Sequence, residues 1–274
     1  RLSNWHQQKI NLEFSKRAII ENYFNFFRLF IKRKYDRYIV HSEQTANVIK
    51  NKTPEKAIIN LPYTYYDDNR DQKLAEKNDK FRVTILGSVD PTRRDYLSIF
   101  DPRNTKSNQL KEIEFELAGV PNGSNFSTDK TESKYFNHLK HNVNQFTSIS
   151  GCKVLFHKKR LDNQTYNRAI ENADVLLMPV NIKNYLLGGW SAGLAESIEK
   201  NKRVIVPKGY ELPTEYPNDY KEYDKPSDLY AILQGMAKDN SKAHLSKDEK
   251  NQRDMTLGLK SVANKFSDFL NYDC

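Results

Sequence analysis

Five short apolar runs, separated by polar stretches long enough for a helix, constrain this chain more than any single motif. They are residues 81–87 (FRVTILG), 113–119 (IEFELAG), 154–157 (VLFH), 173–179 (ADVLLMP) and 204–206 (VIV). Runs this short and this apolar suit strands buried on both faces, and parallel strands need a crossover between them. The intervals supply it: helices are predicted from Asp95 into Phe100, over 132–145 and 165–172, and through Glu196. Two more are predicted over 226–233 and 256–270. The alternation predicts an α/β fold with a doubly wound, Rossmann-like parallel sheet.

A smaller unit precedes it. Residues 35–41 (YDRYIVH) read as a strand, 42–51 as a helix with Ser42 as its N-cap, and 57–61 as a second strand, a partial N-terminal α/β segment. Residues 67–80 form the most polar stretch and mark the boundary between the two. Further upstream, residues 11–34 carry Ile20, Tyr23, Phe24, Phe27, Phe30 and Ile31 on one helical face, with Arg28, Lys32, Arg33 and Lys34 in the last turns. That stripe reads either as a face packed into a core or as a helix lying on an anionic membrane.

Charge sharpens the second option. Residues 1–60 hold 12 Lys/Arg against 5 Asp/Glu, while the remainder holds 32 against 30. A basic N-terminal part suits an anionic surface. Nucleic acid is disfavoured as partner, because no aromatic–basic binding module accompanies the charge. No run approaches the ~18–20 apolar residues of a membrane span. The two cysteines, Cys152 and Cys274, make neither a disulfide framework nor a metal set, so a reducing cytoplasm is expected.

Candidate site residues fall at the strand ends. Gly87 closes the first strand of the larger unit, where a ligand can approach the backbone, and Arg93 and Arg94 follow within reach of an anion. Residues 185–207 (YLLGGWSAGLAESIEKNKRVIVP) place a small-residue turn, with Gly189, Ser191, Ala192 and Gly193, ahead of a helix bearing Glu196. Free N–H groups at such a turn hold anions, and a carboxylate one turn along can accept hydrogen bonds from a vicinal diol. Phosphate and ribose together describe a nucleotide. There is no G-x-G-x-x-G, so a dinucleotide dehydrogenase gains little support.

These stretches resemble the nucleotide-sugar-binding half of a GT-B glycosyltransferase, of the retaining glycosyltransferase family 4 type. The resemblance rests on YDRYIVHSEQTANVIKN with INLPYTYYDD, on FRVTILGSVDPTRRDY, and on FHKKRLDNQTYNRAIENADVLLMPVN followed by GGWSAGLAESIEKNKRVIVP. It implies that Glu196, the second glutamate of an E-x7-E motif, holds the ribose hydroxyls. It implies further that Ser191, Ala192 and Gly193 present N–H groups to the diphosphate, that Arg93 or Arg94 contacts phosphate, and that His157 to Leu161 border the base. Gly188 stands where the motif's first glutamate would be; that carboxylate normally touches the transferred sugar, and Lys183 or Tyr185 could act nearby, a choice the sequence leaves open. The catalytic residues are unassigned.

The expected reaction is transfer of a sugar from a nucleoside diphosphate sugar to an acceptor hydroxyl, in surface polysaccharide or glycolipid assembly. Nucleotide sugar and a carbohydrate or glycolipid acceptor are then the partners, with peripheral contact to an anionic membrane at its inner face. No cofactor is expected, and no metal, since there is no Asp-x-Asp motif. The competing readings are a non-catalytic nucleotide-binding partner of GT-B form and a sugar-nucleotide epimerase of the same layout. The expected division is 1–70 as the end of an acceptor-side domain, 71–80 as linker, 81–240 as the nucleotide-sugar-binding domain and 241–274 as a closing helix. Because 70 residues fall short of a typical domain of ~150, the chain is expected to be the C-terminal part of a longer enzyme.

Overall fold

The computed structural model describes residues 37–40, 43–52, 54, 57–61, 79–87, 89–119, 129–157, 161–182, 192–210, 212, 216, 219–239 and 244–271. The predicted helix over 11–34, most of the polar stretch 67–80, and Gly188, Gly189 and Ser191 lie outside them.

In the N-terminal part, strand β1 (Arg37–Val40), helix α1 (Glu43–Lys52) and strand β2 (Ala57–Asn60) form the expected βαβ unit. β1 and β2 pair in parallel, with Arg37 opposite Ala57 and Val40 opposite Asn60.

The larger unit is a six-stranded sheet of β3 (Phe81–Leu86), β4 (Ile113–Ala118), β5 (Lys153–Phe156), β6 (Val175–Leu177), β7 (Val204–Pro207) and β8 (Lys221–Tyr223). Its order is β5-β4-β3-β6-β7-β8, and every pairing is parallel. The strand order therefore reverses between β3 and β6, the crevice where doubly wound sheets bind ligands.

Period-2 alternation sends the two faces of each strand to different helices. Val83, Ile85, Ile113, Phe115 and Leu117 pack on one side against Leu139, Val143 and Phe146 of α3 (Asp129–Ser150) and Leu229 and Leu233 of α6 (Pro226–Lys238). On the other side Leu86, Leu176, Val204 and Val206 pack against Ala169 and Ile170 of α4 (Asn163–Glu171) and Leu194 and Ile198 of α5 (Ala192–Glu199). A short helix α2 (Tyr96–Ile99) follows β3, capped by the Asp95 carboxylate, which accepts from the Ser98 N–H. Register is pinned by charge across three strands. Glu114 accepts from Arg82 Nε at 3.1 Å on one neighbour and from Lys153 Nζ at 2.8 Å on the other, and the three residues stand directly opposite one another.

The structure departs from the sequence reading in three places. α3 runs to Ser150, past the predicted end at residue 145, because Phe146 is fully buried and the helix stops only where Gly151 takes φ +72°. β8 was not predicted. Between Gly258 and the C-terminus a helix is present, α8 (Leu259–Asn271), but it is separate from a preceding helix α7 (Lys247–Leu257). Among the described residues no helix is long and apolar enough to cross a membrane.

Candidate functional site

The carboxyl ends of β3 and β6 are held together by the turn that follows β3. Asp90 builds that turn: its Oδ1 accepts from the Thr92 N–H and hydroxyl, and its carbonyl accepts from the N–H groups of Arg93 and Arg94. The turn then runs antiparallel to the segment leaving β6, with Arg94 bridged to Val180. The Asp95 N–H donates to the Pro179 carbonyl at 2.7 Å and the Asn181 N–H to the Arg93 carbonyl at 3.0 Å.

Arg93 and Arg94, adjacent in sequence, are separated by this geometry. Arg93 is exposed, whereas Arg94 is buried, 6% exposed, with Nη2 at 3.5 Å from the Leu86 carbonyl. Gly87 makes the approach feasible. It takes φ +94°, and a Cβ added there would lie 3.3 Å from Arg94 Nη2. The guanidinium thus lies along the end of the central strand.

Helix α5 begins over the same crevice. A Cβ built on Gly193 would stand 3.5 Å from Met178 Sδ, just past β6, and 3.8 Å from Leu86 Cβ at the end of β3. The first turn of α5 therefore rests on both strands that flank the order reversal. Its backbone N–H groups carry the partial positive charge of a helix start. Ala192 opens the helix.

Glu196 lies one turn further along, half-buried. Its Oε2 accepts a hydrogen bond of 2.8 Å from the hydroxyl of Tyr166 on α4. Burial pushes the Glu196 carboxyl above its ordinary range; the Tyr166 bond pulls it back in part and Glu199 adds a like charge. Burial also raises the Tyr166 phenol, with the Glu196 carboxylate adding to it and the Arg94 charge opposing. Tyr166 is thus in electrostatic range of both Glu196 and Arg94. Tyr166 escaped the sequence reading: in NQTYNRAIE it looks like one apolar member of an amphipathic helix, and nothing local marks a partner 30 residues away.

Two predicted residues stand elsewhere on the same edge. His157, immediately after β5, places Nε2 at 2.9 Å from Oε1 of buried Glu116 on β4. Leu161 is half-buried and packs with Tyr166 against the core on the α4–α5 side. The structure thus brings together Gly87, Arg94, Gly193 and Glu196, puts Arg93 at the surface beside them, and sets His157 just after edge strand β5 and Leu161 ahead of α4.

The far end of α5 is also fixed. Arg253 of α7, fully buried, pairs with Asp219 through Nε and Nη2 and donates to the carbonyls of Ser197 and Lys202, each at 2.9 Å. Arg203 reaches the Asp219 carbonyl at 2.8 Å and the Glu249 carboxylate at 2.9 Å. The Ser197 hydroxyl meets Tyr216 Oη at 2.8 Å.

The chain has the fold of the GT-B glycosyltransferases. It is similar in structure to TarM of S. aureus, solved with UDP and alpha-GlcNAc-glycerol, with a TM-score of 0.57 at 12% identity over 87% of this chain and 44% of that one. Anabaena HepE, solved with UDP, matches with a TM-score of 0.54 at 10% identity over 86% of this chain and 64% of that one. The UDP-forming alpha,alpha-trehalose-phosphate synthase of Burkholderia xenovorans matches at 0.56 and 10% identity, over 87% and 60%. The chain thus spans between about two fifths and two thirds of the length of these proteins. No protein-family model and no curated protein matches the sequence itself.

Proposed function

We propose that this chain is the donor-binding part of a glycosyltransferase that moves a sugar from a nucleoside diphosphate sugar to an acceptor hydroxyl, of the retaining family 4 type. The observation that carries it is the seating of α5. Its first turn rests on the ends of β3 and β6 at the order reversal, with a carboxylate, Glu196, one turn along. A diphosphate at the helix start would meet N–H groups and Arg93 or Arg94, and the ribose diol would then lie within reach of Glu196. As the bond to the sugar breaks, the diphosphate gains charge, which these donors would stabilise. The structural neighbours solved with UDP make uridine the base to test first.

In this reading residues 81–240 bind the donor, 71–80 link them to residues 1–70 from the acceptor side, and 241–274 close the unit. The acceptor is a carbohydrate or glycolipid hydroxyl, met at the cytoplasmic face of a membrane by the basic N-terminal region. One observation favours a second reading, a nucleotide-binding partner without catalysis: Gly188 occupies the position of the sugar-contacting glutamate.

A thermal-shift panel of UDP, GDP, ADP and CMP with their sugars, on the wild type and Glu196→Ala, tests the site. A bound nucleotide raises the melting temperature in proportion to RT ln(1 + [L]/Kd). One base should stabilise the wild type, and the variant should lose that shift. If no nucleotide stabilises the wild type, the donor-site reading fails. Hydrolysis of the stabilising nucleotide sugar separates the enzyme from the partner reading.

A further inference from the structure

We propose that Tyr166 is a positioning residue for the diol-binding carboxylate: it fixes one oxygen of Glu196 and leaves the other to accept from the two ribose hydroxyls of a nucleoside diphosphate. The inference rests on the donor-site reading above and goes beyond it by assigning discrimination between ribose and its deoxy forms to a residue pair on two different helices.

The geometry is one-sided. Tyr166 donates to Oε2 at 2.8 Å, while Oε1 of Glu196 makes no hydrogen bond among the described residues. A carboxylate held at one oxygen by a charge-assisted bond has its plane set before any ligand arrives, so a diol finds an oriented acceptor. α4 is held in place independently of Glu196. Its N-terminus is capped by Asp162, which accepts from the Thr165 N–H at 2.7 Å, and Thr84 Oγ1 of β3 donates to the Ala169 carbonyl at 3.1 Å. Its last turn is held by Lys202 Nζ, which reaches the Glu171 carbonyl at 2.7 Å. The phenol is therefore delivered by a rigid element.

The same bond partly offsets the rise that burial imposes on the acceptor. The groups facing Glu196 are Tyr166 from α4 and Glu199 from α5 itself, and Arg94, from the turn after β3, acts on the Tyr166 phenol. Burial and Glu199 favour the neutral acid; among the described residues Tyr166 alone opposes them. Removing the phenol hydroxyl pushes the carboxyl further up, so the charged acceptor is lost at a higher pH.

The test is calorimetric titration of UDP, GDP and ADP, each beside its 2′,3′-dideoxy form, into the wild type and Tyr166→Phe from acid to neutral pH. Phenylalanine keeps the ring packing and removes only the hydroxyl. The wild type should prefer one ribonucleotide over its dideoxy form. In Tyr166→Phe that preference should shrink about threefold to tenfold, as expected for the loss of one ordinary hydrogen bond, with dideoxy affinity unchanged. The pH at which the preference disappears should be higher in the variant. An unchanged preference and pH midpoint overturn the proposal, because Tyr166 then only packs. Equal loss for both ligand forms overturns it too, since that signals a general disturbance of the site. If the wild type binds none of the three nucleotides, the donor-site reading itself fails and the assignment falls with it; if it binds one without preferring the diol, only the role of Glu196 and Tyr166 is lost.

Discussion

In the proposed donor site, Glu196 is where binding and stability would oppose each other. Its carboxyl is raised by burial, so its charged form is a net cost to the fold. The sign follows from linkage: a folded pKa above the unfolded one favours the native state at low pH, and that advantage is lost as pH rises through the folded value. Above that folded value the penalty is fully present. Glu196→Gln removes the charge and keeps an oxygen for the Tyr166 hydroxyl. It should raise the urea midpoint at pH 7 and leave it little changed at acid pH, while abolishing the nucleotide-induced thermal shift. A lower midpoint at pH 7 would show that the charge is compensated by groups other than Tyr166. The position of Glu196 was legible in the sequence, since a small-residue turn followed by a carboxylate one turn on is a local pattern. Its partner was not. Tyr166 and Glu196 meet because two helices pack on one sheet face, and pairing across that face has no signature in either helix.

At the scale of elements, legibility followed the source of each element's stability. Strands β4, β6 and β7 are buried along their whole length and β3 at every position but Arg82, so apolar runs announced them. β8 is an edge strand, Lys-Glu-Tyr, with only Tyr223 buried, and its pairing with β7 comes from backbone bonds. α7 reads KDEKNQRDMTL and has no apolar stripe. Its start is a reciprocal cap: the Glu249 N–H donates to Ser246 Oγ at 3.2 Å and the Ser246 N–H to Glu249 Oε2 at 2.7 Å. Its anchor is Arg253, a buried cation whose partners come from distant chain segments. Breaking a buried ion pair on one side leaves an uncompensated charge, about 3–5 kcal/mol. Arg253→Ala should therefore lower stability by about that amount, measured by urea unfolding, and should weaken nucleotide binding because the end of α5 loses its tether. Arg253→Met with Asp219→Asn should recover much of the stability. Full stability in Arg253→Ala alone would mean that α7 docks through Leu257 and its apolar contacts.

The whole molecule is governed by its strand order. β3 lies at the centre of the six-stranded sheet with β4 on one side and β6 on the other, and Val83 pairs with Val175. A chain ending at residue 172 would keep β3, β4 and β5 but expose one edge of an apolar strand. It should aggregate or unfold without cooperativity in urea, although it contains most of one apolar core; a sharp transition would show that half the sheet suffices. The alternation of runs in the sequence was enough to read this doubly wound plan, because each strand carries its own apolar mark. The seating of α5 over β3 and β6 has no mark in the sequence, since it depends on which strands become neighbours. For the growing chain the order has a cost in time. At the usual pace of synthesis, roughly 5–20 residues per second, the central strand waits several seconds after leaving the ribosome before its second neighbour exists. During that interval FRVTIL is an open apolar edge, and the chain depends on its charged flanks or on a chaperone to keep it from pairing with another copy.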